Sequence, residues 1–217
     1  MSKTLQVISV IFLLTISFQL LAQNDTSIYS FHNVTIQGKK YCGFLTSRGF
    51  HLLNSKNDSY LEHIGDYFSW KFEDFNGDGY KDIFLDKGGN VPELFDLLIY
   101  VPSIESFRQV INFDKFPAPV KIRGTRYFYS YHKSGCADMD WGSDLFYIHN
   151  YEATRIGNIS GYECENSGIK DGLYIYKFHD KNKMLIKTLP IDKIHKIKDD
   201  KWGFIKEYWT KHCKLFV

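Results

Sequence analysis

The chain has 217 residues and little of what marks the commoner function classes. It has almost no net charge, with 27 Lys and Arg against 25 Asp and Glu. That balance argues against nucleic acid as a partner, because binding it requires a strong basic face that displaces counterions. The Lys-rich stretch 181–201 also carries Asp192, Asp199 and Asp200, so it reads as a solvated face and not as a binding arm. No H-E-x-x-H pair, G-x-S-x-G elbow, P-loop or G-x-G-x-x-G occurs, which removes the local signatures of zinc proteases, serine hydrolases and nucleotide binders. His132 and Asp138 flank Ser134, but closeness in sequence is not the geometry of a triad. The reading is of a protein that is not an enzyme.

Cysteine is sparse, with four residues and no C-x-x-C spacing, so zinc-ribbon and thioredoxin-like chemistry are not indicated. Long apolar runs are also missing, with one exception. Residues 1–22, MSKTLQVISVIFLLTISFQLLA, hold Lys3 near the start and an apolar run interrupted by Ser9, Thr15, Ser17 and Gln19. This is the form of a secretory signal peptide, not of an anchor of about 20 uninterrupted apolar residues. The expectation is export to the periplasm or the outside, leaving one domain, 23–217, with no stable membrane span. An oxidising compartment makes disulfides the expected use of Cys42, Cys136, Cys164 and Cys213. Cys136 with Cys164 is preferred, because LFYIHN and YEATRIGNI between them read as adjacent strands whose ends meet. A Cys42–Cys213 pair stays open.

What is present is β-rich and aromatic, with 15 Tyr, 18 Phe and 4 Trp. Between Ser27 and Phe178, runs of four to eight Tyr, Phe, Ile and Val residues are broken by Gly, Asn, Asp and Pro. About ten short strands predict a mainly β fold, an antiparallel sandwich or barrel-like meander. Trp202, Ile205, Trp209 and Cys213 recur at helical spacing, predicting a C-terminal helical extension over about 190–217. Trp141, between Asp140 and Gly142, is the tryptophan expected to be exposed, whereas Trp202 and Trp209 are assigned to the helix stripe.

One stretch departs from strand alternation. FEDFNGDGYKDIFL, residues 72–85, places oxygen-bearing side chains at Asp74, Asn76, Asp78 and Asp82, a glycine at Gly79 and a main-chain carbonyl at Tyr80. Oxygen ligands at positions 1, 3, 5, 7 and 9, with a glycine at 6 for the sharp turn, are what Ca²⁺ takes from a short loop. Without a cation the carboxylates repel, although Asn-Gly and Asp-Gly also form tight turns unaided. The loop is not an EF-hand, since Leu85 stands where the bidentate glutamate belongs and the flanks are strand-like. D-x-N-x-D-G-x-x-D between strands resembles the calcium loop of FG-GAP and VCBS repeats over about 15 residues. A propeller built from such repeats needs about four to eight blades, and this chain has one copy.

A single such loop, then Gly88–Asn90 and a β meander, is also loosely similar to small exported bacterial proteins, some of which inhibit lysozyme. The resemblance implies Ca²⁺ as the cofactor and a partner-binding loop bearing a Ser-Gly pair that enters an acidic cleft. YHKSGCADMDW offers Lys133, Ser134, Gly135 and Trp141 for that role, with Cys136 bracing the loop, while Asp138 and Asp140 would oppose an acidic partner. A cell-surface or carbohydrate-binding module with structural calcium is the alternative, since rings such as these stack on sugars.

Overall fold

The computed structural model describes residues 28–54, 59–91, 93–164, 168–179 and 182–217. The signal-peptide segment 1–22 lies outside them. Among the described residues no helix is long and apolar enough to cross a membrane. The chain is mainly β and antiparallel, with one C-terminal α-helix. It divides into two compact units, residues 1–72 and 73–217.

The first unit is an antiparallel meander of β1 (Ser30–Ile36), β2 (Lys39–Thr46), β3 (Gly49–Leu53) and β4 (Ser59–Ile64). Ile36, Tyr41, Phe44, Leu45, Phe50 and Leu52 are buried. Trp70, at the start of β5 (Ser69–Glu73), packs 4.8 Å from Phe50, and its indole N–H donates to Ser30 Oγ at 2.9 Å. A side chain at Gly43 would collide with that indole.

The second unit begins with the acidic loop and continues into the meander β6 (Asp82–Asp86), β7 (Phe95–Val101) and β8 (Ser106–Gln109). Gly88–Asn90 falls in the β6–β7 connection. A seven-stranded sheet follows, formed by β9 (Val120–Lys121), β10 (Tyr127–Tyr129), β11 (His132–Gly135), β12 (Asp140–His149), β13 (Glu152–Tyr162), β14 (Gly172–His179) and β15 (Asn182–Leu189). Its path runs β15-β14-β13-β12-β10-β9, with β11 beside β12, and it does not close into a barrel.

The helix α1 (Asp200–His212) packs Phe204, Ile205 and Trp209 onto Trp141, Leu145, Ile159, Leu173 and Ile175 of this sheet. The buried Trp209 indole donates to Ser143 Oγ at 2.8 Å, and Ser143 Oγ donates to the Ser130 carbonyl at 2.7 Å, whereas the buried Trp141 indole N–H has no hydrogen-bond partner among the described residues. A second core, built from Phe75, Phe84, Leu97, Phe113, Phe116, Phe128 and Phe146, lies under the acidic loop.

Two aromatic assignments change. Trp141 is 1% exposed, because β12 begins at Asp140 and register sets Trp141 opposite Gly161, where any Cβ would meet the indole. It therefore belongs to the core and not to a binding surface. Trp202 is 51% exposed, because it sits in the first turn of α1 off the buried stripe, with its ring 4.0 Å from Tyr131.

Candidate functional site

The acidic loop is anchored by its one apolar residue. Phe75 stacks on Phe128 at 4.5 Å and meets Phe84 and Phe113 edge-on at 5.4 and 5.3 Å, so the polar residues around it are held at the surface. Asp74 Oδ1 accepts from the Gly77 and Asp78 amides at 2.8 and 3.1 Å, and Oδ2 from the Gly79 amide at 2.9 Å. Asn76 Oδ1 accepts from the Asp78 amide at 2.9 Å, while its amide nitrogen donates to Asp78 Oδ2 at 2.8 Å. Asp78 Oδ1 accepts from the Tyr80 amide at 2.9 Å. These are Asx-type turns, and Gly79, at φ +90° in open space, supplies the left-handed step they require.

Asp82 is fully buried and ties the loop to the meander, accepting from the Phe75 amide with one oxygen and the Tyr100 amide with the other, both at 3.0 Å. Burial pushes its carboxyl up to about 6, and the charge of Asp78 adds to the rise, against the backbone hydrogen bonds that favour the ionised form. No cationic side chain among the described residues pairs with Asp82. Lys121 approaches the loop from β9 instead, donating to the Asn76 carbonyl and lying 5.2 Å over the Phe128 ring.

The donor chemistry fits a hard cation. Every polar group the sequence assigns here is an oxygen donor, and a carboxylate oxygen that takes one N–H keeps a second lone pair. A buried, unpaired carboxylate beside a second one is also the charge state that a cation relieves. Among the described residues, three ligand-type side chains within 4.8 Å of one another are Cys136, Asp140 and Cys164, two of which are joined as a disulfide. Asp74 and Asp78 instead spend their oxygens along the turn, and Asp82 divides its oxygens between the Phe75 and Tyr100 amides.

The second region is the loop following β11. Cys136 is bonded to Cys164, as expected, and the bridge joins the two ends of the β12–β13 hairpin. Cys42 and Cys213 are free, half-buried and buried respectively. The disulfide is the bond of a chain matured outside the reducing cytoplasm. Lys133, Ser134 and Gly135 are all exposed. Cys136, Ala137 and Asp138 then take φ of +46°, +51° and +79°, a left-handed run of three non-glycine residues that costs about 1–3 kcal/mol each and needs support from outside.

The support is specific. Lys201 Nζ reaches Asp138 Oδ2 at 2.7 Å and its carbonyl at 2.9 Å, and the Tyr131 hydroxyl donates to Oδ1. Burial pushes the Asp138 carboxyl up, but Lys201 and Tyr131 outweigh it and hold it below the usual range. Asp140 is buried, accepting from the Glu163 and Cys164 amides at 3.1 and 3.2 Å. Both aspartates that seemed to oppose an acidic partner are engaged internally, although the charge of Lys133 also acts on Asp138. Sequence reading missed Lys201, which lies 63 residues away and left no local sign.

Trp202 stands beside this loop between two depressions. One, of about 310 Å³, is bounded by Val91, Tyr131 and Lys133. The other, of about 560 Å³, is bounded by Met139, Glu163 and His195. Met139, 45% exposed, adds a second large apolar side chain to the surface.

No protein-family model matches the chain, and no curated protein matches it. One solved structure, of a Xanthomonas Type IV Secretion System related protein, is similar in fold, with a TM-score of 0.51 and 13% identity over 75% of this chain and 98% of its own. At that identity the likeness concerns the fold.

Proposed function

We propose that this chain is an exported, calcium-binding β protein without catalytic activity, which binds a protein partner through the loop at Lys133–Gly135 in the manner of a lysozyme inhibitor or an immunity protein. The observation that carries the reading is the bracing of that loop. An exposed Lys-Ser-Gly segment sits on a strained turn pinned by a disulfide, an ion pair and a tyrosine. Preorganisation of this kind lowers the ordering cost of association. An exposed ammonium and hydroxyl suit the carboxylates of a glycosidase cleft. The fold neighbour is described as related to a type IV secretion system, which is consistent with work at or beyond the cell envelope.

Calcium, held by Asp74, Asn76, Asp78, Asp82 and the Tyr80 carbonyl, is a structural cofactor in this reading. It draws together carboxylates that otherwise bond along the turn, and it neutralises Asp82. The test of the metal is the melting temperature in millimolar Ca²⁺ and in chelator, for the protein and for Asp78→Ala. The expected result is a calcium-dependent rise that the variant lacks, and no rise in either protein removes the cofactor. The test of the partner is inhibition of a panel of lysozymes, with Lys133→Ala and Ser134→Ala compared at equal stability. Inhibition that both variants weaken supports the loop, whereas inhibition unchanged by either places the contact elsewhere.

A surface or sugar-binding role is the second reading, and one observation favours it. Tyr162, Tyr174 and Tyr176 are half-buried, the first two with ring centroids 5.7 Å apart, on the sheet face opposite α1. That role expects binding to glycans that loop variants leave unchanged.

A further inference from the structure

Beside the acidic loop the second unit has a groove of about 490 Å³, lined by Tyr100, Lys121, Arg126, Phe128 and Tyr151 together with Asp78. Among the described residues its cations form no ion pair. Arg126 is exposed, and its guanidinium lies 5.5 and 5.4 Å over the Tyr127 and Tyr147 rings; its hydrogen bond is to the Tyr127 hydroxyl at 3.4 Å, and no described carboxylate pairs with it. Lys121 has a backbone carbonyl and a phenyl face as neighbours, again with no ion pair to a carboxylate among the described residues. Asp78, the one acid on the groove wall, has both oxygens engaged by the Tyr80 amide and the Asn76 side chain. Just outside, Arg108 lies 5.0 Å over the Tyr151 ring and adds a third positive charge.

Ring-packed cations around a concavity are geometrically fixed, and a guanidinium edge without a carboxylate keeps paired donors for an oxyanion. Ring walls and a few convergent polar groups are also the make-up of small-molecule sites. We infer that this groove binds a small oxyanion-bearing ligand, a phosphate or a carboxylate, held between Lys121 and Arg126 beside the Tyr151 ring. The inference is separate from the partner loop and does not need calcium. If the loop does hold a cation, that ion adds positive charge on the Asn76–Asp78 side and strengthens the same preference.

The test is amide and side-chain NMR on the purified protein in metal-stripped buffer, titrated separately with inorganic phosphate, galacturonate and neutral galactose. We expect saturable shifts at Lys121, Arg126 and Tyr151 with phosphate, galacturonate or both, and none with galactose. Phosphate alone assigns a phosphorylated ligand, galacturonate alone a carboxylated one, and both the shared oxyanion chemistry. The Lys121→Met/Arg126→Leu double variant is expected to lose at least about tenfold in affinity while remaining folded, because both side chains reach the groove from the surface. A conservative Arg126→Lys variant tests the fork geometry by an intermediate loss. Absence of saturable shifts, equal shifts with galactose, or affinity unchanged in the folded double variant overturns the inference. The metal-free buffer keeps this outcome independent of whether the acidic loop binds calcium.

Discussion

The two loops of the second unit, 74–82 and 133–140, are both polar turns on a β scaffold, yet they are held in opposite ways. The first is held from within. Asp74 and Asp78 accept amides of the same turn, one phenylalanine pegs it to a core, and among the described residues no cationic side chain pairs with its buried Asp82. The second is held from outside by a disulfide, a lysine from α1 and a tyrosine, and its aspartates are neutralised or buried in useful hydrogen bonds. A loop held from within spends its side chains on shape. A loop held from outside frees its own tip, Lys133 to Gly135, for contact with something else.

The largest expected effect removes the outside support. Cys136→Ser with Cys164→Ser, or reduction of the wild type, is expected to cost about 2–4 kcal/mol in denaturant unfolding, the usual range for such a bridge. It should also slacken the partner loop while leaving any calcium response of loop 74–82 intact. Loss of the calcium response in that variant breaks the comparison, because it makes the two loops one cooperative element.

The next removes the inside support. Asp82→Ala strands the buried Phe75 and Tyr100 amides at about 1–3 kcal/mol each, with relief of a buried charge offsetting part. We expect a net loss of about 2 kcal/mol and disappearance of the calcium-dependent rise in Tm. A variant as stable as the wild type and still calcium-responsive shows that Asp82 neither caps the loop nor ligates.

Acid distinguishes the loops by sign. Asp82 holds its proton more tightly folded than unfolded, so its contribution is complete below about pH 4, the ordinary carboxylate value, and is lost as pH rises through about 6. Asp138 is depressed, so its contribution is complete above the ordinary carboxylate value and is lost as pH falls through its own lower value. Unfolding of the metal-free protein from pH 3 to 7 is expected to show both slopes. Asp82→Ala should abolish the upper one and Asp138→Asn the lower, and a profile that neither variant alters rejects both assignments.

Much of this was legible in sequence, where the determinants are local. The alternating aromatic runs gave most strands, and the hairpin between Cys136 and Cys164 gave the disulfide. The turn chemistry of D-x-N-x-D-G appears as hydrogen bonds at the positions that spacing indicates. Strands such as β3 with GFHLL and β15 with NKMLIKTL are short or exposed and lack clear alternation, so cross-strand pairing decides them. The 133–140 loop was legible as a segment but not in its charge, because the pairing of Asp138 with Lys201 is a contact across 63 residues.

The two tryptophans show the same limit and supply the smallest predicted effect. D-W-G reads as a turn, but Gly161 opposite makes room for Trp141 inside; Trp202 keeps helical spacing, but the first turn of α1 faces it outward onto Tyr131. Trp202→Ala is therefore expected to cost no more than about 1 kcal/mol, close to the value of one aromatic pair, whereas a core tryptophan costs about 3–5 kcal/mol. If the outside-held loop is the partner surface, its neighbouring ring contributes contact area there, and exposed tryptophans beside a rigid loop are frequent anchors of binding. The variant should then weaken partner binding by more than its stability change accounts for, measured on folded protein alongside Lys133→Ala. Binding unchanged by Trp202→Ala confines the contact to the tip at Lys133–Gly135. A loss of stability of core size instead makes the Tyr131–Trp202 stack part of the support that holds the loop.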